Sequence, residues 1–530
     1  MTVEYAKHQI DAISFQQVQP YSILAMSTGT GKTLTTIGSM LVNLKTNKLD
    51  KCIFVCTKGS LDEVQKDFNK FYKFSPSVLN NQNDIISFFR EDKTIALTRY
   101  EKLKYFDYNL IEELSSSHKL GMWWDEAQRL KNGSMDSKGV SGTQAHKKAR
   151  ELRCLCSAFH LVTATPIMCT LNDLWALMHL VDYRILGSYF DFCNNFYERR
   201  LVPHPRYRRR QFTCPTCGSP LEYYNGFDYC MNPFCQSIRV PGGFIPFRRQ
   251  VKSIWELVEY KNIEVLSNII KPYMFCYFPK QDIIYKMHEF CMSNDTENRY
   301  NLIAKDLFLN EYALDNSSKE KSSNKNTPFS TRIIELQYVI DRSSEKLKEL
   351  YKLAIDLKDK GFVLYVPLYS TSGNHSSQST LEIIFQMLET IEGLEVKTYT
   401  GNDSDDDKKK NKEWFIEDSK NKCLIISEAG GASLNLQSTN EFIFYSMPYG
   451  FGKISQALGR IVRLFSKYKT FNIHVIQAKE SIDVYKFNCF LMMTDVIYRL
   501  MNNKLIDLKT PINYNNDLKT MMRNQLCWNK

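Results

Sequence analysis

The stretch Ser27-Thr28-Gly29-Thr30-Gly31-Lys32-Thr33 constrains the fold of this chain more than any other segment. The apolar run Tyr21-Ser22-Ile23-Leu24-Ala25-Met26 precedes it, and Leu34, Ile37, Leu41 and Leu44 follow at helical spacing. A strand, a glycine-rich turn and a helix start, in that order, form a cradle for phosphate. The N–H groups of the loop and the positive end of the helix face the anion. Lys32 brings a point charge to the β- and γ-phosphates, and the Thr33 hydroxyl can ligate Mg²⁺. Met26 stands where the full G-x-x-x-x-G-K-[ST] pattern has its first glycine.

The pattern around this loop predicts an α/β protein with two parallel-sheet lobes. Strands are expected at Ile23–Met26, Cys52–Cys56, Thr94–Thr98, Gly121–Trp124 and Phe159–Thr163, with helices at Leu34–Leu44, Leu61–Phe71 and Leu171–Val181. Strands that alternate with helices imply right-handed crossovers and a sheet covered on both faces. The rhythm returns at Phe362–Val366, Val396–Thr400, Leu424–Ser427, Phe442–Tyr445 and Ile473–Gln477, with helices near Ser379–Ile391, Lys409–Asp418 and Lys453–Arg463. Between the lobes, Ile254–Tyr260, Val265–Pro272 and Ile333–Ile355 read as helical. Residues 316–330 are polar and unpatterned and read as a flexible connection; 371–379 and 402–412 read as solvated loops. The expected division is lobe one at 1–200, a zinc ribbon at 201–250, a helical insertion and linker at 251–345, lobe two at 346–480 and a helical tail at 481–530.

Composition narrows the class. A chain of 530 residues exceeds a single core, and 43% hydrophobic residues are enough for packed domains, which excludes global disorder. The net charge of +11 suits a polyanionic partner. It concentrates at Arg199, Arg200, Arg206, Arg208, Arg209 and Arg210, a cluster read as a phosphate-backbone contact in preference to a solvated loop. No apolar run approaches the ~20 residues of a membrane span. The start of the chain lacks the apolar core of a secretory signal, so an intracellular protein is expected, nuclear, or in a virion or cytoplasmic factory if viral.

In lobe one, Met122-Trp123-Trp124 runs into Asp125-Glu126-Ala127-Gln128. A carboxylate pair at the C-terminal end of a buried strand lies where a parallel sheet presents its ligand site. Asp125 would hold Mg²⁺, and Glu126 would orient and deprotonate an attacking water. The segment Asp125–Asn132 resembles the second Walker motif of superfamily 2 helicases, and especially of Swi/Snf-type DNA translocases. Leu161–Met178 resembles that group's third motif, which implies that Thr163 and Thr165 couple hydrolysis to lobe movement. Phe54–Phe68 and Ala96–Leu103 are similar to its strand-tracking motifs, placing Thr57, Lys58 and Thr98 near a phosphate backbone. Gln9 sits like the glutamine that reads an adenine edge. In lobe two, Thr398–Ser404, with Gly401, resembles a nucleic-acid-contacting loop, and Ile426–Leu436 resembles the fifth motif. Gln456-Ala457-Leu458-Gly459-Arg460-Ile461-Val462-Arg463 resembles the sixth, with Arg460 and Arg463 expected on one helix face as arginine fingers.

The resemblance covers about 1–200 and 345–480. It implies ATP, bound by Ser27 to Thr33 with Gln9 and Gln456, hydrolysed between two RecA-like lobes that track duplex DNA in transcription or remodelling, with RNA second to DNA and RNA polymerase a possible partner. The wording of the sixth motif is also similar to transcription ATPases of large cytoplasmic DNA viruses. Departures are Gln128 for the usual histidine, Ala164 for the usual glycine, and Phe275-Cys276-Tyr277 where an arginine pair is common. Two other classes compete: a strand-separating helicase, and an inactive scaffold of a transcription assembly. Intact Lys32, Glu126 and Arg460 oppose the second.

A last motif is independent of nucleotide chemistry. Cys214-Pro215-Thr216-Cys217-Gly218 is a metal knuckle, and Cys230 and Cys235 follow. Four thiolates can close a tetrahedral structural Zn²⁺ site and fold a ribbon that has no core of its own. Disulfides compete, but the inferred reducing compartment disfavours them. His204 is a substitute ligand.

Overall fold

In the computed structural model the chain is described over 4–131, 133–136, 139–203, 213–224, 227–230, 232, 235, 238–240, 243–245, 248–250, 253–279, 282–313, 329–367, 379–428, 434–463 and 466–502. Among these residues lobe one holds a seven-stranded, all-parallel sheet. Its strands are β1 (Tyr21–Met26), β2 (Lys51–Cys56), β3 (Ser77–Leu79), β4 (Ile95–Arg99), β5 (Leu120–Trp124), β6 (Ala158–Thr163) and, after the insertion strands β7 (Tyr197–Pro203) and β8 (Ser253–Tyr260), β9 (Met274–Tyr277). The order across the sheet is β9-β1-β6-β5-β2-β4-β3. Helices cover both faces, so β2, β5 and β6 are buried along their whole length and are mostly apolar, with Lys51 at the start of β2 and His160 inside β6.

Lobe two is a six-stranded parallel sheet of β10 (Asp282–Phe290), β11 (Phe362–Tyr365), β12 (Glu395–Tyr399), β13 (Lys422–Ile426), β14 (Glu441–Phe444) and β15 (Thr470–Ala478), in the order β10-β15-β14-β11-β13-β12. The expected strands and the helix Leu171–Val181 are present. Three strands of these sheets were not expected: β3, which pairs with β4 at the far edge of lobe one, and two that come from the region assigned to a helical insertion. β9 closes one edge of lobe one against β1, and β10 closes one edge of lobe two against β15.

Four further expectations are corrected. Ile254–Tyr260, read as helical, is strand β8, because antiparallel pairing with β7 overrides local pattern. Ile333–Ile355 is two helices, Phe329–Asp341 and Ser344–Leu357, and Ser343 caps the second by accepting from the Lys346 N–H at 3.3 Å. Most of the loop expected at 402–412 lies in the helix Asp405–Glu417, capped by Ser404. The helix of the sixth motif spans Phe451–Leu458 and ends at Gly459. Most of 316–330, the stretch 371–378, and 503–530 lie outside the described residues.

The helix Ile482–Asn502 ties the lobes together. Phe487, Phe490 and Leu491 pack into a core of lobe two, whereas Met493, Val496, Ile497 and Leu500 pack into a core of lobe one. Its 21 residues span about 31 Å, enough to reach from one lobe to the other. Near its start lies a buried polar cluster. The Lys346 ammonium donates to Asp341 and Asp483 at 2.9 Å each and to the Ser446 hydroxyl at 2.8 Å. Gln337 donates to both carboxylates at 2.8 Å, and Lys486 donates to the Gln337 amide oxygen at 2.6 Å. Among the described residues no helix is long and apolar enough to cross a membrane.

Candidate nucleotide cleft and cysteine centre

The phosphate loop bridges β1 and the helix Lys32–Lys45. Gly29 and Gly31 hold φ of 73° and 80°, where a side chain is strained. The Ser27 N–H donates to the Tyr277 carbonyl at 3.0 Å, so β9 anchors the loop's first residue. Thr30 Oγ1 donates to the Ser27 carbonyl at 2.7 Å, and Lys32 Nζ donates to the Met26 and Ser27 carbonyls at 3.2 and 3.1 Å. Thr33 is half-buried in the first helical turn. Gln9 departs from its expected role: its amide donates to the Thr30 and Gly31 carbonyls at 3.4 Å and accepts from the Ala6 N–H at 2.9 Å. Here it braces the phosphate loop. Beside it His8 reaches the Thr30 carbonyl and stacks on Tyr277 at 4.0 Å.

The acidic pair follows β5. The Asp125 N–H donates to the Val55 carbonyl at 2.9 Å, and the Tyr100 hydroxyl donates to the Asp125 carbonyl at 2.7 Å. Glu126 adopts φ 50°, a left-handed conformation uncommon for glutamate that turns its side chain out of the strand direction. Burial pushes the Asp125 carboxyl up to about 7; the Glu126 charge adds to the rise and Lys32 opposes it. Burial also lowers the Lys32 ammonium, against the pull of Glu126 and Asp125, and Arg463 lowers it further. Two crowded carboxylates and one lysine, short of solvent, leave negative charge incompletely balanced. This donor set suits a divalent cation, so the residues present fit Mg²⁺.

Gln128, noted from sequence only as a departure, is a link. Its amide nitrogen donates to Glu126, and its oxygen accepts from Thr163 Oγ1 at 2.6 Å. Thr163 Oγ1 accepts from the Thr165 N–H at 3.0 Å, and Thr165 Oγ1 contacts Met168 Sδ at 3.2 Å. Both threonines are buried. The Met168 carbonyl accepts from the Gly452 N–H of lobe two at 2.9 Å. A Cβ on Gly452 would lie 1.9 Å from Met168 Sδ and 3.0 Å from Met168 Cα, so a larger residue there would have to displace the Met168 side chain. No sequence pattern could have paired residues so far apart in the chain.

Lobe two brings its arginines to the same cleft, from beyond a helix end. Arg460 and Arg463 follow Gly459 and share no helix face, which corrects that expectation. The Arg463 side chain covers Gly29: a Cβ built on that glycine would meet Arg463 Cβ and Cδ at 3.0 Å. The Arg463 guanidinium donates to the Leu434 carbonyl at 2.9 Å. Arg460 is buried and donates to the Ser427 carbonyl at 3.2 Å, while its neighbour Gly459 abuts Thr28. Gln456 is half-buried on the preceding helix.

The expected nucleic-acid contacts divide. Lys58 and Gly401 are exposed. Thr57 is buried and shares a 2.8 Å hydrogen bond with Ser60. Thr98 is wholly buried and donates to the Leu79 carbonyl at 3.0 Å, so this placement corrects its expected contact with a backbone. Arg206, Arg208, Arg209, Arg210, His204 and 429–433 lie outside the described residues.

Between β7 and β8 the four cysteines converge. Their Sγ atoms all lie within 4.8 Å of one another, with Cys214 to Cys235 and Cys217 to Cys230 at 3.5 Å. All four are free thiols, not disulfides. Gly218 at φ 72° lets its N–H donate back to the Cys214 carbonyl at 2.8 Å, closing the knuckle. Four sulfurs at these separations match the donor number and softness of a tetrahedral metal site.

Two parallel-sheet lobes, with a phosphate loop and an acidic pair on one and arginines on the other, define a helicase-like ATPase core. The SNF2-related domain model matches 12–337, and the helicase conserved C-terminal domain model matches 345–465. The chain therefore belongs to the SNF2-related family. Among solved structures it is similar to the Sulfolobus solfataricus SWI2/SNF2 ATPase core in complex with dsDNA, at 19% identity and a TM-score of 0.38, covering 96% of this chain and 98% of that one. It is also similar to the ATPase core domain of that protein at 18% identity and a TM-score of 0.38, covering 99% and 94%. No curated protein matches the sequence.

Proposed function

We propose that this chain hydrolyses ATP in the cleft between its lobes and uses the closure to track along duplex DNA. The observation that carries this reading is Arg463 of lobe two lying on Gly29 of the phosphate loop, in the charge environment of Lys32, Asp125 and Glu126. Lys32 and the loop N–H groups hold the β- and γ-phosphates. Glu126, aimed by Gln128, takes a proton from the attacking water; the water oxygen bonds to the γ-phosphorus as the bond to the bridging oxygen breaks and ADP leaves. Arg463, with Arg460 three residues before it beyond the helix end, balances charge that develops on the transferred group. Thr33 and Asp125 would hold Mg²⁺, which when bound neutralises phosphate charge. Thr163, Thr165 and the Met168–Gly452 contact carry the state of Glu126 to the other lobe.

Duplex DNA as the track rests on family membership and the net charge of +11. Exposed Lys58 and Gly401 are the contacts proposed within the described residues, and Arg206, Arg208, Arg209 and Arg210 extend them. Transcription or remodelling is the proposed setting, with RNA polymerase as a candidate partner. Zinc is the proposed occupant of the cysteine centre, and about one equivalent per chain should be found by elemental analysis. The deciding experiment compares ATP turnover with duplex DNA, single-stranded DNA and RNA at one stated salt concentration. Stimulation by duplex above the others is expected. Equal rates with and without any polymer would overturn the reading, and unwinding of a tailed duplex in step with hydrolysis would favour a strand-separating helicase.

A further inference from the structure

The cysteine centre stands on a two-stranded arm, and the arm is rooted beside the nucleotide cleft. β7 and β8 pair from Tyr197–Tyr260 at the base to Pro203–Ser253 at the far end, a stalk of about 23 Å. Two aromatic residues form the base: the Tyr197 and Tyr260 rings lie 5.2 Å apart. The Lys261 N–H donates to the Phe196 carbonyl at 3.0 Å, and Asn262 donates to the Asn195 carbonyl at 2.8 Å, so both strands leave lobe one as one unit.

This base is seated on the N-terminus of the helix Leu171–Val181. The Tyr197 hydroxyl donates to Asn172 Oδ1, and the Tyr260 hydroxyl faces the Leu171 backbone amide. The next residue, Asp173, holds the loop that touches lobe two. One of its oxygens accepts from the N–H groups of Met168, Cys169 and Thr170 at 2.8, 2.7 and 3.4 Å. The Met168 carbonyl then accepts from Gly452 of lobe two, and Met168 Sδ contacts Thr165. Arm, helix start and inter-lobe loop therefore meet within three consecutive residues.

We propose that Tyr197 and Asn172 are positioning residues that make the arm a lever on the 164–170 loop, so that engagement of the arm by nucleic acid sets how that loop meets lobe two. The lever acts through Asp173: tilting the helix start moves the carboxylate that fixes three loop amides, and with them the Met168 carbonyl. The turnover half of the test rests on the ATPase reading above; the exchange half does not.

Tyr197→Phe keeps the ring and removes only the hydroxyl. Hydrogen exchange on the full chain should show the Met168, Cys169 and Thr170 amides exchanging about threefold or more faster, with the helix Lys32–Lys45 unchanged. Asn172→Ala should do the same, and the double variant should add little, as expected for two sides of one contact. Lys261→Ala, which removes the exposed 3.5 Å ion pair with Glu198 at the same base, should leave these amides as in the wild type. In turnover, Tyr197→Phe should keep the basal rate and duplex affinity within about twofold and lose about fivefold of the stimulation by duplex DNA. Unchanged exchange at 168–170 in both single variants, or an equal effect from Lys261→Ala, would overturn the proposal. A wild type without stimulation would refute the ATPase-tracking reading instead, and the exchange result would still decide the lever.

Discussion

Two buried clusters of charge in this molecule are built to opposite ends. In lobe two, Lys346 pairs with both Asp341 and Asp483 while Gln337 and Ser446 join the same network; Lys486, which donates to Gln337 and the Met447 carbonyl, is pushed down to about 8 by burial. Burial alone would lower the Lys346 ammonium, but the Asp341 and Asp483 carboxylates outweigh it and the net shift is upward. In the cleft, burial raises Asp125 beside Glu126, and a single lysine does not cancel the pair. The first cluster joins the helices Phe329–Asp341, Ser344–Leu357 and Ile482–Asn502, with both carboxylates paired to Lys346. The second, in the function proposed above, would take up a cation and a polyphosphate. Buried charge is therefore not itself a sign of function, but buried charge left unbalanced is.

Substitutions should separate the two clusters. The largest effect is expected from Glu126→Gln, which removes the proposed base: turnover should fall by about 10³-fold or more while ATP affinity stays within a fewfold. Phosphate release and nucleotide binding measured on one preparation check this, and retained turnover would end the assignment. Lys346→Ala should do the reverse. It leaves two buried carboxylates short of their partner and should cost about 3–5 kcal/mol in denaturant unfolding. Lys32→Ala should cost turnover and alter stability by only about 1 kcal/mol or less, since Asp125 can take up a proton. If both lysines proved equally costly to the fold, the contrast would collapse.

Arg463→Ala comes next, with a loss of about 10²–10³-fold in kcat and little change in stability. Acidity sharpens the comparison further. The folded-state Asp125 carboxyl lies above its unfolded value, so its contribution to stability is present below about pH 4 and is lost as pH rises toward about 7. Wild-type stability should therefore decline across that window relative to Asp125→Asn, without added Mg²⁺. Conversely, the Mg²⁺ needed for half-maximal turnover should fall as pH rises through about 7, because the cation takes the ionised carboxylate. The smallest effect is expected at Thr98. Thr98→Val should alter duplex affinity by less than about twofold, since the hydroxyl is spent on the Leu79 carbonyl.

The legible parts of the fold were those written in local pattern. Buried parallel strands such as Lys51–Cys56, apolar from Cys52 onward, and Leu120–Trp124 are written in apolar runs, and their boundaries shifted by only a residue or so. The errors came where pairing partners decide. Ser253–Tyr260 carries helical spacing yet is held extended by Tyr197–Pro203, and Met274–Tyr277 is too short to signal that it completes a sheet. Gln9 and Thr98 were assigned to ligands by their position in a motif, but the structure spends both on backbone carbonyls. The four cysteines were legible because metal-ligand spacing is itself a local signal.

What the sequence determined alone was chemistry: a glycine-rich turn ahead of a helix, a carboxylate pair behind an apolar strand, and thiols at knuckle spacing. Each depends on residues near one another in the chain. What only the tertiary structure decided was assembly. It set Arg463 against Gly29, ran Gln128 from Glu126 to Thr163, and rooted the arm beside the loop that meets lobe two. The reason is physical: these contacts follow from how two separately packed sheets and an inserted ribbon meet, and no periodicity along the chain records that meeting.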